Sequence, residues 1–230
     1  MEKTQQVIQV HPDLPLSLTK VGAGKPALVL HAGHGPTTAA PIVEHFARDH
    51  QVLAPTHPGW DGTPRPDWFS GVDDLAITYL DLLEDEGLTD VTVVAASFGG
   101  WVASELAVRD RGQRIGRLIL IDSAGSAPSR VPPPGDPMLP EDDLLKTIFT
   151  YGGGPLVWDP KLLRRLARVK VPVLVLWGED DDVVTAEEGR IHAEAFANAR
   201  FELIPNVGHM AVRDDAEGVF ARIDAFLAES

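Results

Sequence analysis

Apolar positions along this chain follow two rhythms. Short apolar runs alternate with longer stretches in which every third or fourth residue is apolar. Residues 27–31, 51–55, 91–95, 117–121, 171–177 and 201–204 are of the first kind. They are bounded by glycine, proline or polar clusters and predict strands, several of them apolar throughout as in a sheet covered on both faces. Residues 36–49, 72–86, 98–111, 186–197 and 211–228 are of the second kind and predict helices. In 72–86 apolar residues at 72, 75, 76, 79, 80, 82 and 83 form one stripe of a helix, and Gly87 suits its C-terminal end. Two more strands, 7–10 and 16–19, flank the turn at 11–15 and predict an antiparallel hairpin at one edge. Strand–helix alternation over most of the chain predicts an α/β fold, with a mostly parallel twisted sheet and helices on both faces.

Residues 124–170 break this rhythm. No strand signal appears there. A proline-rich stretch, 128–140, precedes two short candidate helices, 141–150 and 160–169, separated by Gly152-Gly153-Gly154-Pro155. The expected organisation is a core of residues 1–123 and 171–230 with a small helical lid at 124–170. Leu144, Leu145, Ile148, Phe149, Leu156 and Trp158 could give that lid an apolar underside.

Composition narrows the chemistry. The 230 residues carry a net charge of −14, a field that repels phosphate backbones and argues against nucleic-acid binding. The absence of cysteine removes disulfides, Cys-ligated zinc, iron–sulfur clusters and thiol nucleophiles together. No stretch matches a signal peptide, and none approaches the ~20 apolar residues that span a bilayer. The expectation is a cytoplasmic protein acting on a small molecule, with no membrane partner. The oligomeric state is left open.

Four motifs carry chemistry. In Val93-Val94-Ala95-Ala96-Ser97-Phe98-Gly99-Gly100 a buried strand runs into a helix with one serine at the corner. The residues two before and two after it, Ala95 and Gly99, are small, as a tight strand–turn–helix requires. The turn would expose the serine Oγ and aim helix N–H groups at whatever binds there. His31-Ala32-Gly33-His34-Gly35 follows another strand, where glycine admits a ligand close to the backbone and an N–H could complete an oxyanion hole with that of Phe98. Trp177-Gly178-Glu179-Asp180-Asp181-Asp182 takes a strand into an acidic turn. Pro205-Asn206-Val207-Gly208-His209-Met210 places a histidine between the last strand and the last helix. Ser97, an acid 84 residues later and a histidine 28 residues after that thus all follow strands of one sheet, where ligand-binding groups gather. Gly22-Ala23-Gly24-Lys25 is not a nucleotide loop, because it precedes a strand and lacks the P-loop spacing.

The order Ser…Asp…His and these four motifs resemble the α/β-hydrolase superfamily over nearly the whole chain. Pro58-Gly59-Trp60-Asp61-Gly62 is similar to that family's Pro-Gly-aromatic-Gly segment. Ala95, Ala32 and Asp61 depart from its usual glycines without removing a catalytic group. The resemblance implies Ser97 as nucleophile, His209 as base and Asp181 as acid, because Asp181 stands three residues after Gly178. Asp180, Asp182 and Asp122 are rival acids. It implies oxyanion donors at the backbone N–H of Phe98 and of Gly33, with His34 the alternative to Gly33. His34, Trp60 and Trp158 are candidate pocket residues. The implied activity is hydrolysis of a carboxylic ester or lactone through an acyl-enzyme, with neither cofactor nor metal. Carbon–carbon bond hydrolysis, hydroxynitrile-lyase-like chemistry and a ligand-binding receptor on the same scaffold are the alternatives. A haloalkane dehalogenase is excluded by serine, not aspartate, at position 97.

Overall fold

A computed structural model describes residues 3–129, 143–154 and 157–229. The strands are β1 (Lys3–His11), β2 (Leu14–Val21), β3 (Lys25–Leu30), β4 (His50–Pro55), β5 (Val91–Ala96), β6 (Ile115–Ile121), β7 (Val173–Gly178) and β8 (Ala199–Ile204). They form one sheet in the order β1-β2-β4-β3-β5-β6-β7-β8. The β1–β2 and β2–β4 pairs are antiparallel, and every pair from β4 onward is parallel. The predicted edge hairpin is present and longer than its apolar residues alone suggested.

The helices are α1 (Ala40–Phe46), α2 (Val72–Asp85), α3 (Phe98–Arg109), α4 (Asp143–Tyr151), α5 (Leu162–Leu166), α6 (Ala186–Glu194), α7 (Ala211–Asp214) and α8 (Ala216–Ala228). They cover both faces. On β5, Val93 and Ala95 point into the layer under α2, α3 and α6, while Val94 points into the layer under α1 and α8. Both side-chain phases are therefore apolar, which is why the parallel strands read as unbroken runs.

Two helix expectations are corrected. Residues 36–49 do not form one helix: Pro36–Ala39 is a 3-10 turn, and α1 ends at Phe46. The last helix is broken at Asp215, whose backbone is non-helical (φ −144°, ψ 69°) and whose carboxylate accepts the Gly218 N–H at 2.9 Å. An aspartate that caps a new helix competes with continuing the old one.

In the 124–170 segment, α4 and α5 occupy the two predicted helical stretches in shortened form. Residues 130–142, 155 and 156 lie outside the described residues, as do the side chains of Leu144 and Leu145. Tyr151, Val157, Leu162 and Leu166 are buried in the same apolar cluster as α2 and α3. Glu105 of α3, 3% exposed, bonds Arg109 and Arg165, and Arg165 also reaches Asp159 at 3.0 Å. This charge cluster, centred on the buried Glu105, fastens α5 to α3.

Candidate active site

Ser97 joins β5 to α3 with φ 49° and ψ −117°. That conformation is strained for a residue with a Cβ and of order 1–3 kcal/mol unfavourable. The surroundings hold it there. Its N–H donates to Ile121 O at 2.9 Å, and its carbonyl accepts from Gly100 N at 2.9 Å and Ala124 N at 3.0 Å. The small neighbours have a steric reason. A Cβ on Gly99 would lie 2.5 Å from His31 O, and one on Gly100 would lie 2.5 Å from Ser123 Oγ.

Ser97 Oγ lies 2.8 Å from His209 Nε2, and His209 Nδ1 lies 2.8 Å from Asp181 Oδ2. The other Asp181 oxygen accepts the N–H groups of Val183 at 2.9 Å and Val184 at 3.0 Å. The carboxylate is buried but fully hydrogen-bonded, which fixes its rotamer. Gly178 lets the acid turn and the histidine loop touch, since a Cβ there would meet Gly208 O at 2.4 Å. Burial works against a charge on His209, but the hydrogen bond and charge of Asp181, with Asp122 and Asp182 adding, hold its pKa above the usual 6.5.

The rival acids sit elsewhere. Asp180 and Asp182 are exposed. Asp122 is buried at φ 47° and never reaches the imidazole. Its Oδ1 accepts Gly178 N–H at 2.8 Å and its Oδ2 accepts Ala211 N–H at 3.1 Å. It clasps the acid turn to the segment just past His209. Burial pushes its pKa up to about 7 despite those two bonds. Its part as a clasp was not foreseen, although an aspartate at the end of a buried strand (Leu120-Ile121-Asp122) was the available signal.

The loop after β3 is fixed by a buried histidine pair. His57 N–H donates to His31 Nε2 at 2.9 Å, so the His31 proton is on Nδ1 and bonds Ala32 O at 2.7 Å. His57 bonds Tyr79 Oη through Nδ1 and His31 O through Nε2. Burial keeps both neutral, lowering His31 to about 4 and His57 well below 6.5. Ala32 O also accepts Gly35 N–H at 3.0 Å. Because a trans peptide is planar, pinning the Ala32 carbonyl turns the Gly33 N–H to the opposite side. Among the described residues, the N–H groups of Gly33 and Phe98 donate to no protein acceptor. The two residues are neighbours: a Cβ on Gly33 would lie 3.8 Å from Phe98 Cβ.

The three candidate pocket residues fall in different places. His34 is exposed, and partial burial together with the nearby charges of His209 and Arg213 lowers its pKa. Trp60 is buried, and its Nε1–H donates to Gly33 O at 2.6 Å. Trp158 is half-buried and bridges to Gly125. The groove that does border Ser97 and His209 measures about 470 Å³ and runs between the 3-10 turn and α7. Among the described residues, no group of three or more histidine, aspartate or glutamate side chains is placed to hold a metal, and no helix is long and apolar enough to cross a membrane.

The chain is similar to several known proteins. A 2-hydroxy-6-oxononadienedioate/2-hydroxy-6-oxononatrienedioate hydrolase of Paraburkholderia phymatum is 25% identical over 94% of this chain and 91% of its own. A poly(3-hydroxyalkanoate) depolymerase of Ectopseudomonas oleovorans is 28% identical over 92% of this chain and 88% of its own. The solved structure of an N-acyl homoserine lactone degrading enzyme superposes with a TM-score of 0.80 at 18% identity, covering 96% of this chain and all of that one. The family model described as alpha/beta hydrolase matches residues 27–156. With that match, an eight-stranded sheet of the same fold and a serine at its strand–helix corner, the chain belongs to the alpha/beta hydrolase family.

Proposed function

We propose that the chain is a serine hydrolase that cleaves a carboxylic ester or lactone through an acyl-enzyme on Ser97. The observation that carries this reading is the unbroken run of bonds from Ser97 Oγ through His209 to Asp181. As Oγ bonds to the substrate carbonyl carbon, His209 Nε2 takes the Oγ proton, and the carbonyl electron pair moves onto oxygen. The N–H groups of Phe98 and Gly33 receive that oxyanion. The intermediate collapses, the bond to the alcohol oxygen breaks, and His209 returns the proton to the leaving group. Water then attacks the acyl-enzyme with His209 as base, releasing the acid and restoring Ser97. Asp181 holds the imidazole tautomer and offsets the imidazolium charge without taking its proton. The reaction needs no cofactor.

Carbon–carbon bond hydrolysis is the second reading, supported by the relative that acts on a dienedioate. Charge favours the ester. A dioate carries two carboxylates, whereas this chain has a net charge of −14. In the groove beside Ser97 the one full cation among the described lining residues is Arg213, which is bonded to Asp214 at 2.7 Å. A neutral ester meets no such penalty. The relative that acts on poly(3-hydroxyalkanoate) accords with this choice.

Turnover of p-nitrophenyl acetate tests the reading. Ser97→Ala is expected to lower kcat by about 10⁶ while keeping the wild-type circular-dichroism spectrum. Ester turnover retained in that variant contradicts the mechanism. Wild-type turnover of a 2-hydroxy-6-oxo-dienedioate faster than any aryl ester moves the reaction to the second reading.

A further inference from the structure

Access to Ser97 differs sharply between its two sides. Towards the lid, Trp60, Phe98 and Tyr151 are each no more than 3% exposed and pack ring against ring, with centroids 5.2 Å apart for Trp60–Phe98 and 5.4 Å for Trp60–Tyr151. Their polar tips are spent on backbone: Trp60 Nε1–H on Gly33 O, and Tyr151 O–H on Pro58 O at 2.8 Å. Ile148 of α4 packs over the β3 loop, since a Cβ on Gly33 would lie 2.9 Å from Ile148 Cδ1. On the opposite side the groove of about 470 Å³ is open to solvent and touches both Ser97 and His209. Its walls are Thr37 and Pro41 on one flank and Met210, Val212 and Ala216 on the other, with Ala96 below.

We propose that this groove, between the 3-10 turn and α7, is the acyl-chain subsite, and that it takes a neutral aliphatic acyl group entering past the His209 loop and not from beneath α4. The inference rests on the ester-hydrolase reading of Ser97. The size is that of a small-ligand pocket. The exposed lining is mostly apolar, with Thr37, Thr38 and the Asp214-paired Arg213 at its polar margin, and apart from the His209 ring no aromatic side chain among the described residues lines the groove, so an aryl acyl group gains no stacking partner. The buried carboxyl group at the groove, Asp122, already accepts two backbone N–H groups and offers nothing to a charged tail. An apolar chain displaces water there and gains with each methylene buried. With the chain in the groove and the carbonyl oxygen on the Gly33 and Phe98 N–H groups, the alcohol portion leaves towards the exposed His34.

The test compares p-nitrophenyl acetate with p-nitrophenyl octanoate in the wild type and in two groove-filling variants, Thr37→Trp and Ala216→Phe. Thr37 is exposed and Ala216 half-buried at the start of α8, so both can take a larger side chain without entering the core. Each variant is expected to lower the octanoate-to-acetate ratio of kcat/KM by about tenfold or more, mainly through KM, because several methylenes lose their apolar contact. Ile148→Ala, on the lid side, is expected to change both esters in proportion. Ratios within about twofold of wild type in both filled variants, or a ratio that moves only with Ile148, overturn the groove as the acyl subsite while leaving Ser97 as nucleophile. A wild type that cleaves neither ester overturns both readings together.

Discussion

Ser97 and Asp181 are each fixed by bonds to neighbouring backbone, and this is what makes their geometry reproducible. Four carboxylates were compatible with the spacing to His209. The structure separates them by what their oxygens accept: Asp181 faces the imidazole, Asp122 faces two backbone N–H groups, and Asp180 and Asp182 are exposed. Spacing along the chain identifies Ser97 and His209 because each is the one side chain of its type just past its strand. It does not separate carboxylates one residue apart, since that choice depends on turn dihedrals. Asp181→Asn is expected to lower kcat by about 10⁴, because the amide favours the wrong histidine tautomer. Asp122→Asn keeps one acceptor oxygen and sets an NH₂ against the other N–H. It is expected to lower kcat by about tenfold and stability by about 1–3 kcal/mol. It also carries a signature in pH. His209 acts as base only when neutral, and its pKa is held above 6.5 partly by the Asp122 charge. The wild-type kcat/KM is therefore expected to rise through an apparent pKa above 6.5, and because Asp122 itself titrates near 7 that limb is expected to steepen towards a single-group profile in Asp122→Asn. A large loss in Asp122→Asn with a small one in Asp181→Asn would reverse the two assignments.

The inner strands of the parallel sheet, β5 and β7 above all, are legible because both faces are buried and no polar alternation hides the apolar run, whereas the edge strand β8 is only partly buried and Arg200 and Glu202 interrupt its run. Helices are legible in register but not in length. Apolar positions continue from 211 to 228, and periodicity alone cannot register that the Asp215 carboxylate caps Gly218 and starts a new helix. Pro36 marks a helical start, but the 3-10 geometry of Pro36–Ala39 is set elsewhere, by the Thr38 hydroxyl, which accepts Ala32 N–H at 3.0 Å and donates to Gly35 O at 2.7 Å. The same bonds brace the loop that carries Gly33. Trp60 shows the limit from the other side. A tryptophan beside glycines on the catalytic edge reads as a pocket wall, yet its ring is packed between Phe98 and Tyr151 and its N–H is committed to Gly33 O. That outcome depends on α4, which lies about 90 residues away in sequence.

Buried neutral histidines set how the fold responds to acid. Burial lowers His31 and His192 to about 4 from an ordinary 6.5. Their folded-state pKa values lie below the unfolded ones, so unfolding takes up protons between those values, and stability is lost as pH falls through about 6.5 and below. His192 isolates the effect. It lies in α6, stacked on Phe196, with no partner for Nδ1 among the described residues and Nε2 3.4 Å from Ser104 Oγ. From 6.5 to about 4, one such group contributes about 2 kcal/mol of destabilisation at pH 5 relative to pH 7. His192→Leu is expected to reduce the stability difference between pH 7 and pH 5 by about that amount in urea unfolding. An unchanged difference would mean that His192 is already charged in the folded state.

Reaction with a fluorophosphonate probe, followed by peptide mapping, reports whether the serine at the strand–helix corner is a working nucleophile. The bond from Ser97 Oγ to His209 and the Gly33 and Phe98 N–H groups, which donate to no acceptor among the described residues, predict one adduct per chain on the peptide containing Ser97. They also predict that labelling is abolished by Ser97→Ala and slowed by orders of magnitude in His209→Ala. An adduct on another serine, or equal labelling of wild type and Ser97→Ala, would contradict the mechanism.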